Sequence, residues 1–442
     1  MTGQATKPLS PLARLPFYYG WVVVVVAFLT IGVGVSVRTS FSLLFPPILQ
    51  DFEWDRGTTS AIFSVGFATS TLITPFLGVA IERFGPGLVM AAGSVLVSTG
   101  LILSTCSDNQ ILLYLSLGSA VVGGAIILAY TSHAYLIPFW FVRLRGFATG
   151  LAFSGAGIGA IILFPWLQSI IEADGWRRAC WAMAIILLVI VLPMNLLFQR
   201  RRPEDMGLKP DGDGLKSTPT REAAVDTVVD KAWAATEWTL ESAVRTARFW
   251  WLALGLFFGM YIWYAIQVHQ TQYLSEVGYT PMAAGFALGL VGLFGVVGQI
   301  GIGSLSDRIG REWAWTVSIS GFVACYILLI LMRHSQNELL LWGMVIFQGG
   351  LGYGLSSIFG SVIAELFHGR GFGRIFGACG VIISVGAAFG PWVSGVMYDR
   401  SGNYDSAWVA ALGACGLSIL GMWLAAPRKV RLTSYVAMRR AT

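Results

Sequence analysis

Charge is what this sequence has least of. Asp, Glu, Lys and Arg make up 12% of its 442 residues, about half the share usual in a soluble domain. Hydrophobic residues make up 55%, and the mean hydropathy is +0.69. A large soluble core is therefore excluded as the class of fold. Histidine is also scarce, with four residues, and five cysteines are scattered along the chain. Cys106, Cys180, Cys325, Cys379 and Cys415 stand at no metal or disulfide spacing and read as small buried hydrophobes. No paired histidines and no nucleophile–base pair fall at membrane depth. The expectation is no metal, no cofactor, no catalytic residue and no enzyme. All 23 acidic residues fall in loops, in a central linker or at helix ends. A cation or drug antiporter usually keeps one at mid-membrane.

What is present is a series of long apolar runs. About 20 apolar residues carry a helix across hydrocarbon, and twelve runs meet that length. Six lie at 18–46, 58–81, 87–106, 111–139, 147–171 and 177–198. Six more lie at 249–274, 282–305, 312–332, 338–361, 375–397 and 405–426. The expected fold class is an all-α membrane protein. Lys7 and Arg14 precede an apolar run, 17–47, that is too long for a signal-peptide core, so it is expected to remain as the first span. Lys and Arg are distributed 23 to 5 between the two sides, with Arg38 left over inside the first span. This bias predicts both termini in the cytoplasm of a multi-pass inner-membrane protein. It also accounts for the net charge of +6 and the pI near 9.1 without a nucleic-acid partner.

The chain repeats itself at half its length. Gly78, Glu82, Arg83 and Gly85 keep the same spacing as Gly303, Asp307, Arg308 and Gly310, 225 residues on. Arg143, Gly146 and Gly150 are echoed by Arg370, Gly373 and Gly377 at 227. Pro165-Trp166 is echoed by Pro391-Trp392 at 226. Repeated features at one offset mark duplicated units. The expected division is a six-helix bundle at 1–199, a cytoplasmic linker at 200–248 and a second bundle with its tail at 249–442. In the linker, Val225, Val228, Val229, Trp233 and Trp238 are spaced as in an interfacial amphipathic helix between 220 and 248.

These motifs carry a resemblance. The two charged turns resemble the loop between the second and third helices of each half in the major facilitator superfamily. Tyr19-Gly20-Trp21, the stretch from Trp140 to Ala152, Glu204–Leu208 and Phe372–Gly377 are similar to the monocarboxylate transporter family and its bacterial relatives, including oxalate:formate antiporters. The resemblance implies twelve helices in two pseudo-symmetric bundles and alternating access to a central site. It also implies a small organic anion as substrate, often moved with a proton. The family's basic residue late in the first helix is matched approximately by Arg38. Its Asp and Arg in the eighth helix fall at Gly295 and Gln299, and the lysine that oxalate exchangers carry in the eleventh helix has no counterpart in 377–390.

Two sets of candidate residues follow. The gate set is Gly78, Glu82, Arg83, Gly85, Arg143, Arg145, Gly303, Asp307, Arg308, Gly310, Arg311 and Arg374. It reads as a latch at one membrane face, against the alternative of solvated turns that only set topology. Glu82 replaces the usual Asp, and Pro86 stands where a basic residue is usual. The substrate set is Arg38, Tyr130, His133, Tyr264, Gln267, His269, Gln299 and Tyr353. A guanidinium can grip a carboxylate through two parallel hydrogen bonds. The alternative for Arg38, which this reading puts toward the outer end of its helix, is snorkelling to the interface. For His133, a proton relay or anion donor is set against a packing residue bonded to a backbone carbonyl. The favoured reading is a transporter of a small organic anion, with a monocarboxylate preferred, acting as a monomer in the bilayer. Proton symport, exchange and uniport stay open. The alternatives are efflux of amphipathic compounds and a transport-inactive nutrient receptor.

Overall fold

In hydrocarbon a backbone must satisfy its own hydrogen bonds, which a helix does within one segment. The computed structural model describes residues 16–141, 145–210, 228–367, 372–433 and 436. Among the described residues are twelve helices long and apolar enough to cross a membrane. They are α1 (Gly20–Phe52), α2 (Arg56–Phe84), α3 (Pro86–Thr105), α4 (Gln110–Ile137), α5 (Ala148–Asp174), α6 (Trp176–Phe198), α7 (Ala247–Glu276), α8 (Pro281–Ile309), α9 (Arg311–Met332), α10 (Glu338–Leu366), α11 (Phe372–Ser401) and α12 (Asp405–Lys429). Among the described residues there is no β-strand.

α1 runs six residues beyond its expected end, through Pro46 and Pro47, after a break at Ser40. A proline lacks the N–H that would bond the carbonyl four residues back. For Pro46 that carbonyl is Ser42, and the Thr271 hydroxyl of α7 donates to it instead. The extension changes the depth of Arg38. It now lies 18 residues after Gly20 and 14 before Phe52, near the middle of the span rather than toward its outer end.

The linker differs from a single amphipathic helix. Its described part forms two short helices, Lys231–Ala235 and Leu240–Val244, each with its own cap. Asp230 accepts from Trp233 N, and Thr239 forms a capping box with Ser242. Trp233 and Trp238 lie tilted against each other with centroids 4.3 Å apart, and Trp233 Nε1 donates to Leu366 O at 2.7 Å.

The chain divides into two compact units. One comprises Met1–Ser40 and Leu72–Thr220, the other Phe41–Thr71 and Arg221–Thr442. In the first, α1 and α5 meet backbone to backbone. A Cβ at Gly159 would lie 2.5 Å from Gly32 O, and one at Gly155 would collide with Phe28 O. In the second, α7 and α11 repeat this contact: Gly386 faces Phe257 O and Gly390 faces Tyr261 O. Glycine is what allows such an approach. Two buried aromatic tips in the second unit are satisfied across helices. Trp315 Nε1 donates to Ser418 Oγ (3.1 Å), which donates to Gly255 O (2.9 Å), and Tyr326 OH donates to Ile262 O (2.5 Å).

The halves also share an irregularity. α4 changes to a π-helical run, Tyr114–Gly123, and then to a 3-10 turn beginning at Gly124. α10 does the same at Ile346–Leu351, with its 3-10 turn beginning at Gly352, 228 residues on. π-segments of this kind are uncommon and often lie at functional sites.

Candidate functional site

The first unit holds Arg38, Tyr130 and His133. Arg38 is half-buried in the last turn before the break at Ser40. Tyr130 begins the last helical stretch of α4 and lies against Phe153 at 4.8 Å. α1 and α4 run antiparallel. Gly34 packs on Leu128, and twelve residues further along α4 Trp140 O accepts from Tyr18 OH at 2.8 Å. Between these two contacts His133 falls level with about residue 27, so it sits about 16 Å along the axis from Arg38. The structure does not bring the two together. His133 is fully buried, and its Nδ1 bonds the Ala129 carbonyl at 2.9 Å, one turn back. Nδ1 therefore carries the proton, and Nε2 has no hydrogen-bond partner among the described residues.

The second unit holds Tyr264, Gln267, His269, Gln299 and Tyr353. Trp263 stacks on Tyr353 with centroids 4.2 Å apart and planes 20° apart. Tyr264 continues this surface, stacked on Trp263 at 6.3 Å and edge-on to Phe67 at 4.5 Å. Gln267 is buried one turn further along the same face of α7, and Gln299 on α8 is half-buried. A Cβ at Gly295 would come 2.6 Å from Cδ2 of Tyr353. The ring thus occupies the place where the family resemblance puts an acid, and only glycine fits beneath it.

His269 is turned away from this aromatic surface, five residues beyond Tyr264 and on another face of α7. Both its ring nitrogens are used by the protein: Nδ1 meets Tyr404 OH at 2.9 Å and Nε2 meets Pro391 O at 2.8 Å. Tyr404 OH also accepts from Arg56 Nη1 at 2.7 Å, and Arg56 Nη2 pairs with Glu276. Arg56, Glu276, Asp399 and Tyr404 were not among the candidates. Their only signal in the sequence is that charge is rare at that end of the helices.

The two charged turns are built alike. Gly85 and Gly310 have φ of +82° and +95°, a region that side chains rarely adopt, and each begins the next span. Each turn is hooked to the fourth helix of its half with the chemistry reversed. Glu82 accepts from Tyr135 OH of α4 at 2.5 Å, and its carbonyl accepts from Arg201 at 2.6 Å. In the second half Arg311 donates from Nε to Glu365 of α10 at 2.8 Å and pairs with Asp307 at 2.8 Å. Tyr135 and Glu365 were missed because tyrosine and a helix-end acid have many other uses. Arg83, Arg308 and Arg374 are exposed, and Gly78 and Gly303 sit on the last turns of α2 and α8. Arg143 lies outside the described residues, and Arg145 is the first residue of a helix. Among the described residues no group of His, Cys, Asp and Glu could hold a metal ion.

Residues 20–372 match the family model described as Major Facilitator Superfamily. The chain is similar to monocarboxylate transporter 13 of Rattus norvegicus, with 28% identity over 420 residues, 92% of this chain and 89% of that one. It is similar to monocarboxylate transporter 12 of Homo sapiens at 25% identity, covering 91% and 78%. Among solved structures it resembles a bacterial homologue of the human lysosomal transporter Spinster, inward-facing and unoccupied, at 15% identity and a TM-score of 0.63, covering 95% and 97%. It also resembles a nucleoside transporter at 12% identity and a TM-score of 0.69, covering 92% and 100%.

Proposed function

The chain belongs to the Major Facilitator Superfamily, a family of transporters rather than enzymes, and from that premise we propose that this membrane transporter moves a small organic anion, a monocarboxylate by preference, by alternating access. The observation that carries this reading is Arg38. At 1.5 Å per residue it lies about 21 Å from one end of α1 and about 27 Å from the other. Neither distance can be spanned by snorkelling, so the charge needs a partner or water at mid-depth. No acid in the sequence stands at that depth in any span. A guanidinium at that depth suits recognition of a carboxylate through two parallel hydrogen bonds. The names of the relatives, monocarboxylate transporters 12 and 13, point the same way.

Tyr130 in the first unit, and Tyr264, Gln267, Gln299 and Tyr353 in the second, are proposed as further substrate contacts. His133, apart from Arg38 and bonded to its own helix, is proposed as a packing residue. His269, with both nitrogens engaged, is set aside as a direct contact. The protein is placed in the inner membrane with both termini cytoplasmic, following its basic residues.

The test is uptake by purified protein in liposomes, with lactate and pyruvate outside and a pH-sensitive dye inside. Uptake that follows an imposed proton gradient makes it a carboxylate symporter. Uptake only when the lumen holds another organic anion makes it an exchanger. No protein-dependent movement of any short carboxylate under either condition refutes the substrate class.

A further inference from the structure

Residues near the end of the chain close over the charged turn of the second half, and a cavity of about 180 Å³ lies between them. We propose that this cavity is a binding site for the phosphate group of an anionic ligand. Arg428, Arg431 and Thr433 of the tail would hold it, together with the first N–H groups of α9. This goes beyond the transport reading and does not rest on it.

The tail is fixed in place by its own backbone. The helix of α12 ends at Ala425, and Ala426, at φ +51°, turns the chain into a 3-10 turn at Pro427–Lys429. Arg428 N, at the open start of that turn, donates to Glu312 Oε1 of α9 at 2.9 Å. Val430 N and Arg431 N close the turn on Pro427 O at 2.8 and 2.9 Å. Val430 O then accepts from Val229 N and Asp230 N of the linker, at 2.9 and 3.3 Å, and Val228 pairs with Arg431 in an isolated antiparallel bridge. With α9 on one side and the linker on the other, 431–433 are held beside the start of α9, where they line the cavity.

The lining favours an anion. Its charged residues are Arg311, Arg428 and Arg431 against Glu312 and Glu365. Both acids already accept from the protein, Glu312 from Arg428 N and Glu365 from Arg311 Nε at 2.8 Å. Arg311 is spent on Glu365 and Asp307. The groups that remain for a ligand are donors. At the start of α9 the first N–H groups have no partner inside the helix, and Gly310, the residue at the cap, has no side chain to offer them. They border the cavity with the positive end of the helix dipole. Thr433 is an independent sign of a ligand. It lines the cavity and is 7% exposed, and its hydroxyl has no hydrogen-bond partner among the described residues. A buried hydroxyl without a partner is costly, and an acceptor oxygen in the cavity would supply one.

Donors on three separate pieces of chain suit a tetrahedral oxyanion better than a flat carboxylate. At about 30 Å³ per water, the cavity holds the volume of about six waters. That is room for a phosphate and a small substituent, not for a nucleotide. Trp313 also lines the cavity, is 56% exposed, and lies edge-on to Trp423 at 5.1 Å, while Arg428 sits 4.3 Å over the Trp423 ring. Aromatic and basic residues of this kind gather at the level of lipid headgroups. The phosphate can therefore come from a lipid headgroup or from a soluble phosphomonoester.

The test is thermal unfolding of the purified full-length protein in detergent. Sodium phosphate and glycerol 3-phosphate are titrated against sodium chloride at matched ionic strength. In a second arm, phosphatidic acid is added to the micelles against phosphatidylcholine. The phosphate-bearing ligand should raise the unfolding temperature where its control does not. Arg431→Gln should raise the half-saturating concentration by at least about tenfold, and Thr433→Val by about two- to tenfold. Arg245→Gln removes the same charge from an exposed pair outside the cavity and should leave that concentration unchanged. The unfolding transition without ligand shows that each variant is folded. A response to the soluble phosphates assigns a soluble ligand, and a response to phosphatidic acid alone assigns a lipid headgroup. No response in either arm, or a response that both cavity variants keep in full, would overturn the site. No carboxylate moves in this assay, so its result stands whatever the uptake test gives.

Discussion

Replacing Arg38 with glutamine leaves a shorter side chain that can still donate through its amide and removes the charge. The same exchange at a snorkelling residue would do little, because the charge would already sit in water. At Arg38 the helix extends about 21 Å to its nearer end. A guanidinium holding a carboxylate through two charge-assisted bonds contributes about 1.5–3 kcal/mol. Its loss should therefore raise KM for a monocarboxylate between about tenfold and about 150-fold. Arg38→Lys should fall between the parent and Arg38→Gln, since an ammonium keeps the charge but not the planar fork. The assay is initial uptake into proteoliposomes against substrate concentration, with protein amount and orientation measured for each variant. A KM for Arg38→Gln within twofold of the parent, in protein that is folded and inserted, would refute the clamp.

Two further outcomes can be checked on the purified protein. Gly295→Ala should destabilise the protein by about 1–3 kcal/mol through overpacking against Tyr353; in thermal unfolding, Tyr353→Ala should relieve that penalty, and equal costs with and without the ring would refute the contact. At the start of α2, burial alone would raise the Asp55 carboxyl. The Thr58 N–H and hydroxyl that it accepts, at 2.6 and 2.7 Å, together with bonds to Asp399 and its own backbone, outweigh burial and hold it below its ordinary value of 3.8. A lowered value means that stability is present above 3.8 and is lost as pH falls through the folded value. Asp55→Asn should then unfold at a lower temperature than the parent at pH 6, and the gap should narrow below pH 3.8; a gap that is unchanged across that range would refute the charge effect.

The twelve spans were legible because the hydrocarbon requires about 20 apolar residues per crossing, a one-dimensional demand that composition reveals. The duplication was legible because the glycines of the two turns are needed for positive φ, so the motif is spelled in residue types. The end of α1 was not legible. Pro46 and Pro47 look like a stop until Thr271, more than 200 residues away, is seen to satisfy Ser42 O. The separation of Arg38 and His133 along their helices was not legible for a similar reason. Both are polar residues in apolar helices, and only the antiparallel packing of α1 on α4 shows how far apart they lie.

The sequence by itself determined that this is a membrane protein of two related halves with one arginine inside its first span, and the depth of that arginine came from the structure. Those properties follow from hydropathy, repeat spacing and the bias of basic residues, each of which is read along a line. Tertiary structure alone decided that Tyr353 fills the space over Gly295, that the protein uses both nitrogens of His269, and that Arg56 meets Glu276, Asp399 and Tyr404. These contacts join residues separated by 58 to 348 positions, and no local pattern encodes a pairing at such range. They come about when helices pack closely enough for a missing Cβ or a single hydrogen bond to select the neighbour.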